Sequence, residues 1–280
     1  MFSRAYVEIT NRCNLHCAFC PGTQRPLRDM TPAEFETVLT QLRPLTRYLY
    51  LHVMGEPLLH PRLETLLSLA AERDFRVCLT TNGVLLPRQT ALLLSAPALH
   101  KVSVSLHSFE GNEGGALLPY LNDVWDFVHQ AAAQGIICVL RLWNGGGAED
   151  CNQTILDFLV EKTGVAATAW GCPRPGTRRL DDHLFLEYAA KFDWPEQTAP
   201  TADTEFCYAL REQVAVLADG TVVPCCLDHE GDLALGNLFH QTAEDILSCR
   251  RARAIYDGFS QRQPAEELCR RCGYATRFSL

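Results

Sequence analysis

Short apolar runs alternate with helical spacing through the first two thirds of the chain, and this alternation restricts the fold more than any other feature of the sequence. The runs at 4–9, 47–53, 75–80, 101–106, 136–142 and 165–170 are rich in aromatic and β-branched residues, as in Arg47-Tyr48-Leu49-Tyr50-Leu51-His52-Val53, and each has the length of a strand. Between them, 32–42, 61–73, 87–95, 119–134 and 151–163 carry helical periodicity. Pro32, Pro61 and Pro87 stand at or near the starts of three of these, where proline is tolerated. Strands that alternate with helices build a parallel sheet with right-handed crossovers. Six such units predict an α/β fold, a partial (β/α)6 TIM-like barrel open on one side, because a closed barrel takes eight.

In such a sheet the chemistry sits at the carboxyl ends of the strands. Those ends carry Cys13, Cys17 and Cys20, then Met54-Gly55-Glu56-Pro57, then Thr81-Asn82-Gly83, then Ser105 to His107, then Arg141 and Asn144. From about 171 the pattern changes. Gly171 to Gly176 reads as a loop, 181–192 shows only a short helical hint, and Gln213 to Leu217 with Thr221 to Val223 reads as a hairpin turning at Asp219-Gly220. A helix near 242–257 follows. The expected division is therefore 1–190 for the barrel and 191–280 for a small α+β module.

Composition sets the compartment and the partners. Nearly half the residues are apolar (47%) and a fifth charged (21%), enough for a substantial core and unlike a disordered chain. A net charge of −8 argues against a nucleic-acid-coating surface, leaving only a local basic cluster at Arg250, Arg251 and Arg253. The first residues show no signal peptide, and no apolar run approaches the roughly 20 residues that cross a bilayer. A cytoplasmic protein with no membrane association is expected. In a reducing compartment thirteen cysteines speak for metal over disulfides, and an odd number cannot all pair.

Three of these cysteines, Cys13, Cys17 and Cys20, are spaced C-x3-C-x2-C directly after the first strand. Zinc asks for four ligands, and no fourth cysteine or suitably spaced histidine lies nearby. Three thiolates leave one iron of a cubane open, since a full site uses four. The motif, with Phe19 just before its third cysteine, resembles the radical S-adenosylmethionine (SAM) superfamily. The resemblance implies a 4Fe-4S cluster whose open iron is chelated by SAM, and it covers the first two thirds of the chain. It also implies that Gly55 and Glu56 bind the SAM amino group, with Met54 standing where relatives carry a further glycine. By the same resemblance Ser105 touches the ribose, Arg141 holds the SAM carboxylate, Asn144 orients the ligand and Phe19 lies on the adenine side. Glu8, on strand one, is a candidate for hydrogen bonding behind the site.

A second set, Cys207, Cys225, Cys269 and Cys272, resembles the auxiliary-cluster module called SPASM and its shortened form, twitch. No cysteine follows Cys272, so the resemblance implies one auxiliary 4Fe-4S cluster. Cys226 adjoins Cys225 and is an alternative to it, and on spacing alone four thiolates also satisfy zinc. Cys78, Cys138, Cys151 and Cys249 read as small hydrophobes, while Cys172 is a candidate substrate-side thiol. The implied activity is reductive cleavage of SAM to a 5′-deoxyadenosyl radical, hydrogen abstraction, and oxidation of the substrate radical through the auxiliary cluster. An external one-electron donor such as flavodoxin or ferredoxin is implied. A first strand beginning by residue 5 leaves no N-terminal peptide-recognition domain, which favours a small molecule or a peptide presented by a partner. The competing class is a non-catalytic iron-sulfur or zinc protein with a redox or scaffold role.

Overall fold

The computed structural model describes residues 2–112, 115–202 and 204–278. The chain forms two compact units: residues 1–13, 21–77 and 192–280 make the first, and 14–20 with 78–191 the second. These limits differ from a simple division at 190/191. The reason is the pairing of the first strand, β1 (Arg4–Val7), with a strand near the far end of the sequence, β9 (Gln213–Val216).

In the first unit β1 lies parallel to β9 on one side and to β2 (Tyr48–Tyr50) on the other. β9 turns back antiparallel onto β10 (Thr221–Val223), and β10 onto β11 (Gly236–Asn237). Ala5 and Val7 are fully buried, as are Val214 to Val216. The first helix, α1 (Pro32–Leu42), begins with a capping box in which Thr31 and Glu34 satisfy each other's backbone amides, and Pro32 follows at the first helical position. Its apolar stripe of Phe35, Val38, Leu39 and Leu42 is buried, each side chain contributing about 1.5–3 kcal/mol. α2 (Leu63–Glu72) completes the next strand-helix unit, and β3 (Arg76–Thr81) starts within this unit of the chain.

In the second unit α3 (Leu86–Ser95), β4 (Leu99–Ser105), α4 (Leu117–Ala133), β5 (Ile137–Gly145) and α5 (Asn152–Thr163) continue the alternation. β4 and β5 are parallel, with Ser105 opposite Arg141. The sixth parallel strand is β8 (Leu184–Ala190). It does not fall at 165–170, where Ala167–Ala169 form a short 3-10 turn. Of residues 165–170 only Trp170 is buried, so that run has no face to give a sheet. Leu184 and Leu186 are buried on alternate positions, and that period of two makes Leu184–Ala190 a strand where a helical hint was expected, despite its helix-favouring leucines and alanines. Gly171 to Gly176 is likewise no simple loop. Gly171–Arg174 is β6, pairing antiparallel with β7 (Thr177–Asp181), which pairs with β8.

The helix expected near 242–257 is two: α6 (Ala243–Leu247) and α7 (Arg250–Ser260). The break is Cys249, whose sulfur accepts from the Ala252 amide as a helix cap. Cys151 stands at the cap position of α5 and is half-buried. Neither is the core hydrophobe expected, whereas Cys78 and Cys138 are buried. α8 (Glu267–Arg270) ends just ahead of Cys272. No helix among the described residues is long and apolar enough to cross a membrane.

Candidate active site

The three-cysteine loop leaves β1 and is closed at its neck by side chains. Asn11 donates through Nδ2 to the Pro26 carbonyl (3.0 Å) and accepts from the Arg28 amide (2.8 Å), while Thr10 Oγ1 bonds Asp29 (2.6 Å). The Gly55 turn closes on the same neck. Glu56 N donates to Arg12 O at 2.7 Å. Gly55 has φ +78°, and a Cβ there would stand 2.5 Å from Thr10 O and 2.8 Å from Arg12 O, so only glycine fits. Glu56 is buried and its carboxylate caps the following turn by accepting from Leu58 N at 3.0 Å.

Within the second unit, Asn82 donates to Asn14 Oδ1 at 2.9 Å, and Cys17 Sγ lies 3.4 Å from Ser108 O. Gly111 backs onto Cys17 so closely that a Cβ would meet its N and Sγ at 2.9 Å. Phe19 lies 4.9 Å from the His107 ring, centre to centre. Burial depresses the His107 pKa, so a neutral imidazole backs Phe19 at neutral pH. Its Nδ1 is 3.1 Å from Arg141 O. Cys13 and Cys20 are exposed and Cys17 half-buried.

The strand-end residues are placed as follows. Ser105 is half-buried at the end of β4, its carbonyl accepting from Ser108 Oγ at 2.6 Å. Arg141 lies over the Trp143 ring (4.5 Å), reaches Thr80 Oγ1 (3.4 Å), and its Nε is 3.8 Å from Glu187. Glu187 also pairs with Arg174. Asn144 uses its amide on the loop that leads into α5, bonding Ala148 O at 2.6 Å and Asn152 at 3.0 and 3.2 Å, which gives it a structural task. Cys172 is exposed on β6 with Arg178 Nη1 at 3.1 Å from its sulfur.

Glu8 is fully buried and its carboxylate takes both contacts, 2.8 and 2.6 Å, from Arg25 Nη2. Burial raises its pKa, while Arg25 and the backbone amides of Met54 and Ala218 oppose the rise. Arg25 Nε also donates to His229 O at 2.7 Å. The sequence pointed to Glu8 but not to Arg25, because an arginine in a polar loop carries no local signal of burial.

In the first unit Cys207, Cys269 and Cys272 lie within electrostatic reach of Cys225. Burial pushes the Cys207 thiol up to about 11 and raises those of Cys225, Cys269 and Cys272. Such thiols become ligands when a cation supplies the missing counter-charge and releases their protons. Cys226, also within reach of Cys207 and pushed up to about 12 by burial, bonds Tyr6 instead. Both Tyr6 and Cys226 pack on the cluster of Val53, Ala215, Leu217 and Val223. Among the described residues no three His, Cys, Asp or Glu side chains converge as one ion would need. A cubane takes one thiolate per iron, and the mutual reach of Cys207, Cys225, Cys269 and Cys272 is of the kind such an arrangement asks for.

The family model of the radical SAM superfamily matches residues 7–159. The chain belongs to the radical SAM superfamily. A second model, the SPASM iron-sulfur cluster-binding domain, matches residues 207–273 of this radical SAM protein, which holds all four cysteines of the second set. GTP 3′,8-cyclase from Synechococcus sp. (strain WH7803) is 36% identical over 119 residues, 38% of this chain and 33% of that protein. S-adenosyl-L-methionine-dependent 2-deoxy-scyllo-inosamine dehydrogenase from Niallia circulans is 29% identical over 115 residues, 39% of this chain and 46% of that protein. The alignments thus span about a third to a half of the curated relatives' length. The crystal structure of BtrN in complex with AdoMet and 2-DOIA superposes with a TM-score of 0.58 at 18% identity, covering 97% of this chain and 93% of that one. At that identity the likeness is one of fold, the partial TIM-like α/β fold expected from the alternation.

Proposed function

We propose that this radical SAM protein cleaves SAM reductively and oxidises a small molecule or a peptide. The carrying observation is the presence of two separate thiol sets, one of three on a clamped loop and one of four in the C-terminal module. When bound, the iron-sulfur cluster and SAM supply a 5′-deoxyadenosyl radical that removes hydrogen from the substrate. Cys13, Cys17 and Cys20 are the residues that would hold such a cluster, three thiolates for four irons. Gly55 lets the turn close on the loop, and Glu56 and Arg141 are charged groups suited to the SAM ammonium and carboxylate. Ser105 and Phe19 line the nucleoside side. Cys207, Cys225, Cys269 and Cys272 would hold one auxiliary 4Fe-4S cluster. With four protein ligands such a cluster would leave no iron open to substrate, and it would supply a one-electron acceptor within the module.

The resemblance to a SAM-dependent dehydrogenase supports oxidation as the outcome. An external donor such as flavodoxin or ferredoxin would supply the first electron. Anaerobic reconstitution should give about eight irons per chain and an EPR spectrum that SAM alters, with 5′-deoxyadenosine released under dithionite even without substrate. About one zinc and no response to SAM would instead establish a non-catalytic metal protein.

A further inference from the structure

In the first unit the fully buried Glu8 follows β1, and the strands on either side of β1 are β2 and β9. Its carboxylate accepts from the backbone amides of Met54 and Ala218, which lie beyond the carboxyl ends of those two neighbours. Two further contacts, 2.8 and 2.6 Å, come from Arg25 Nη2. One carboxylate thus ties three adjacent strand ends together where the chemistry of such a sheet sits. Met54 opens the turn whose Gly55 and Glu56 close on the backbone of Thr10 to Arg12. A buried ion pair adds little net stability, since apolar side chains of the same volume serve a core as well. What the pair does supply is direction, imposed on the Met54 amide and on Arg25.

Arg25 carries the same network into the C-terminal module. Its Nε donates to His229 O at 2.7 Å, and the preceding amide, Gln24 N, donates to Glu230 at 3.1 Å. His229 stands four positions after Cys225, in a loop closed by its own bonds. Asp228 N donates to Cys225 O at 3.3 Å, and the Asp228 carboxylate accepts from Asp232 N and Leu233 N at 2.9 Å each. The His229 ring packs on Trp194 at 5.3 Å, centre to centre. We propose that Glu8 and Arg25 are positioning residues for SAM, and that through them the loop after Cys225 sets how tightly the turn of Met54 to Glu56 holds the SAM amino group. This rests on the reading above that the turn receives that group. All of these residues belong to one compact unit. A cluster held by Cys225 would fix the start of the loop, and with it the carbonyl that orients Arg25.

The test titrates SAM into the reconstituted, reduced protein and follows the change in its EPR spectrum, with variants compared at equal occupancy of the N-terminal cluster. Glu8→Gln keeps an acceptor for the two amides but no longer balances Arg25, and should weaken SAM binding by about fivefold or more. Arg25→Lys should weaken it less than Arg25→Met does. Glu230→Ala, at a half-buried side chain on the C-terminal module, should weaken it by about twofold or more with the denaturant midpoint unchanged. Cys225→Ala, which loses the auxiliary cluster, should weaken it by about fivefold, and adding Arg25→Lys to it should cost less than the same change costs the parent. A purely structural pair would lower stability and iron content and leave the affinity of loaded protein as it was. SAM affinity within about twofold of the parent in both Glu8→Gln and Cys225→Ala overturns the proposal, as does full additivity of the Arg25 and Cys225 substitutions. A parent spectrum that ignores SAM refutes the proposed activity and the positioning role together, whereas a parent that responds while its variants bind equally well removes the positioning role alone.

Discussion

At the scale of single residues, the pair of buried Glu8 and half-buried Arg25 links three parts of the chain. Glu8 comes from β1, Arg25 from the loop beyond the cysteine triplet, and the His229 carbonyl that Arg25 also holds comes from the C-terminal module. A pair this deep is not strongly stabilising in itself, since desolvation offsets much of the attraction. Breaking it is another matter. Arg25→Met should destabilise the protein by about 3–5 kcal/mol, because Glu8 then stays buried without its partner. Arg25→Lys should recover part of the loss, since an ammonium meets Glu8 but lacks the second nitrogen that Arg25 gives to the His229 carbonyl. Denaturant unfolding of the three proteins measures both effects.

At the scale of elements, the cysteine loop is held by contacts that reach it from the turn after β2 and from the segment after β4. Gly55 and Gly111 are the points of closest approach, to the Thr10 to Arg12 backbone and to Cys17 respectively. Gly55→Ala would force a Cβ into Thr10 O at a left-handed φ of +78°, at a cost of at least about 1 kcal/mol of local strain. The expected outcome is loss of the N-terminal cluster with the auxiliary cluster kept, so that iron content falls by about half and SAM no longer alters the EPR spectrum. The Gly55-Glu56-Pro57 turn was legible as a strand-end turn from its place after the second strand. Its packing against the loop neck was not, because sequence shows that a glycine is present and not which backbone it must approach.

At the scale of the whole chain, the first and last thirds of the sequence build one compact unit through the β1–β9 pairing, and the four C-terminal cysteines gather inside it. Cys225 lies with Cys207, Cys269 and Cys272, while its neighbour Cys226 turns to Tyr6. Cys225→Ala should therefore lose the auxiliary cluster and about four irons, and Cys226→Ala should keep them. Iron and sulfide analysis of the reconstituted variants reads the difference directly. Equal iron loss in the two would mean that both thiols can serve.

The strand-helix alternation and the close spacing of Cys13, Cys17 and Cys20 were readable without a structure, because both are local. Period and spacing act over a few residues, so they marked out the α/β class, five of the six expected strands, the C-x3-C-x2-C loop and the Cys269-x2-Cys272 pair. The tertiary structure decided what local periodicity leaves ambiguous. It moved the sixth strand to Leu184–Ala190, where alternate leucines find a buried face, and turned Asn144 to the support of a loop. It also set Arg25 against the buried Glu8 and brought Arg141 and Glu187 together on one face of the sheet. Burial and charge pairing depend on residues far apart in the chain, and those distances exist only once the strands have found their partners.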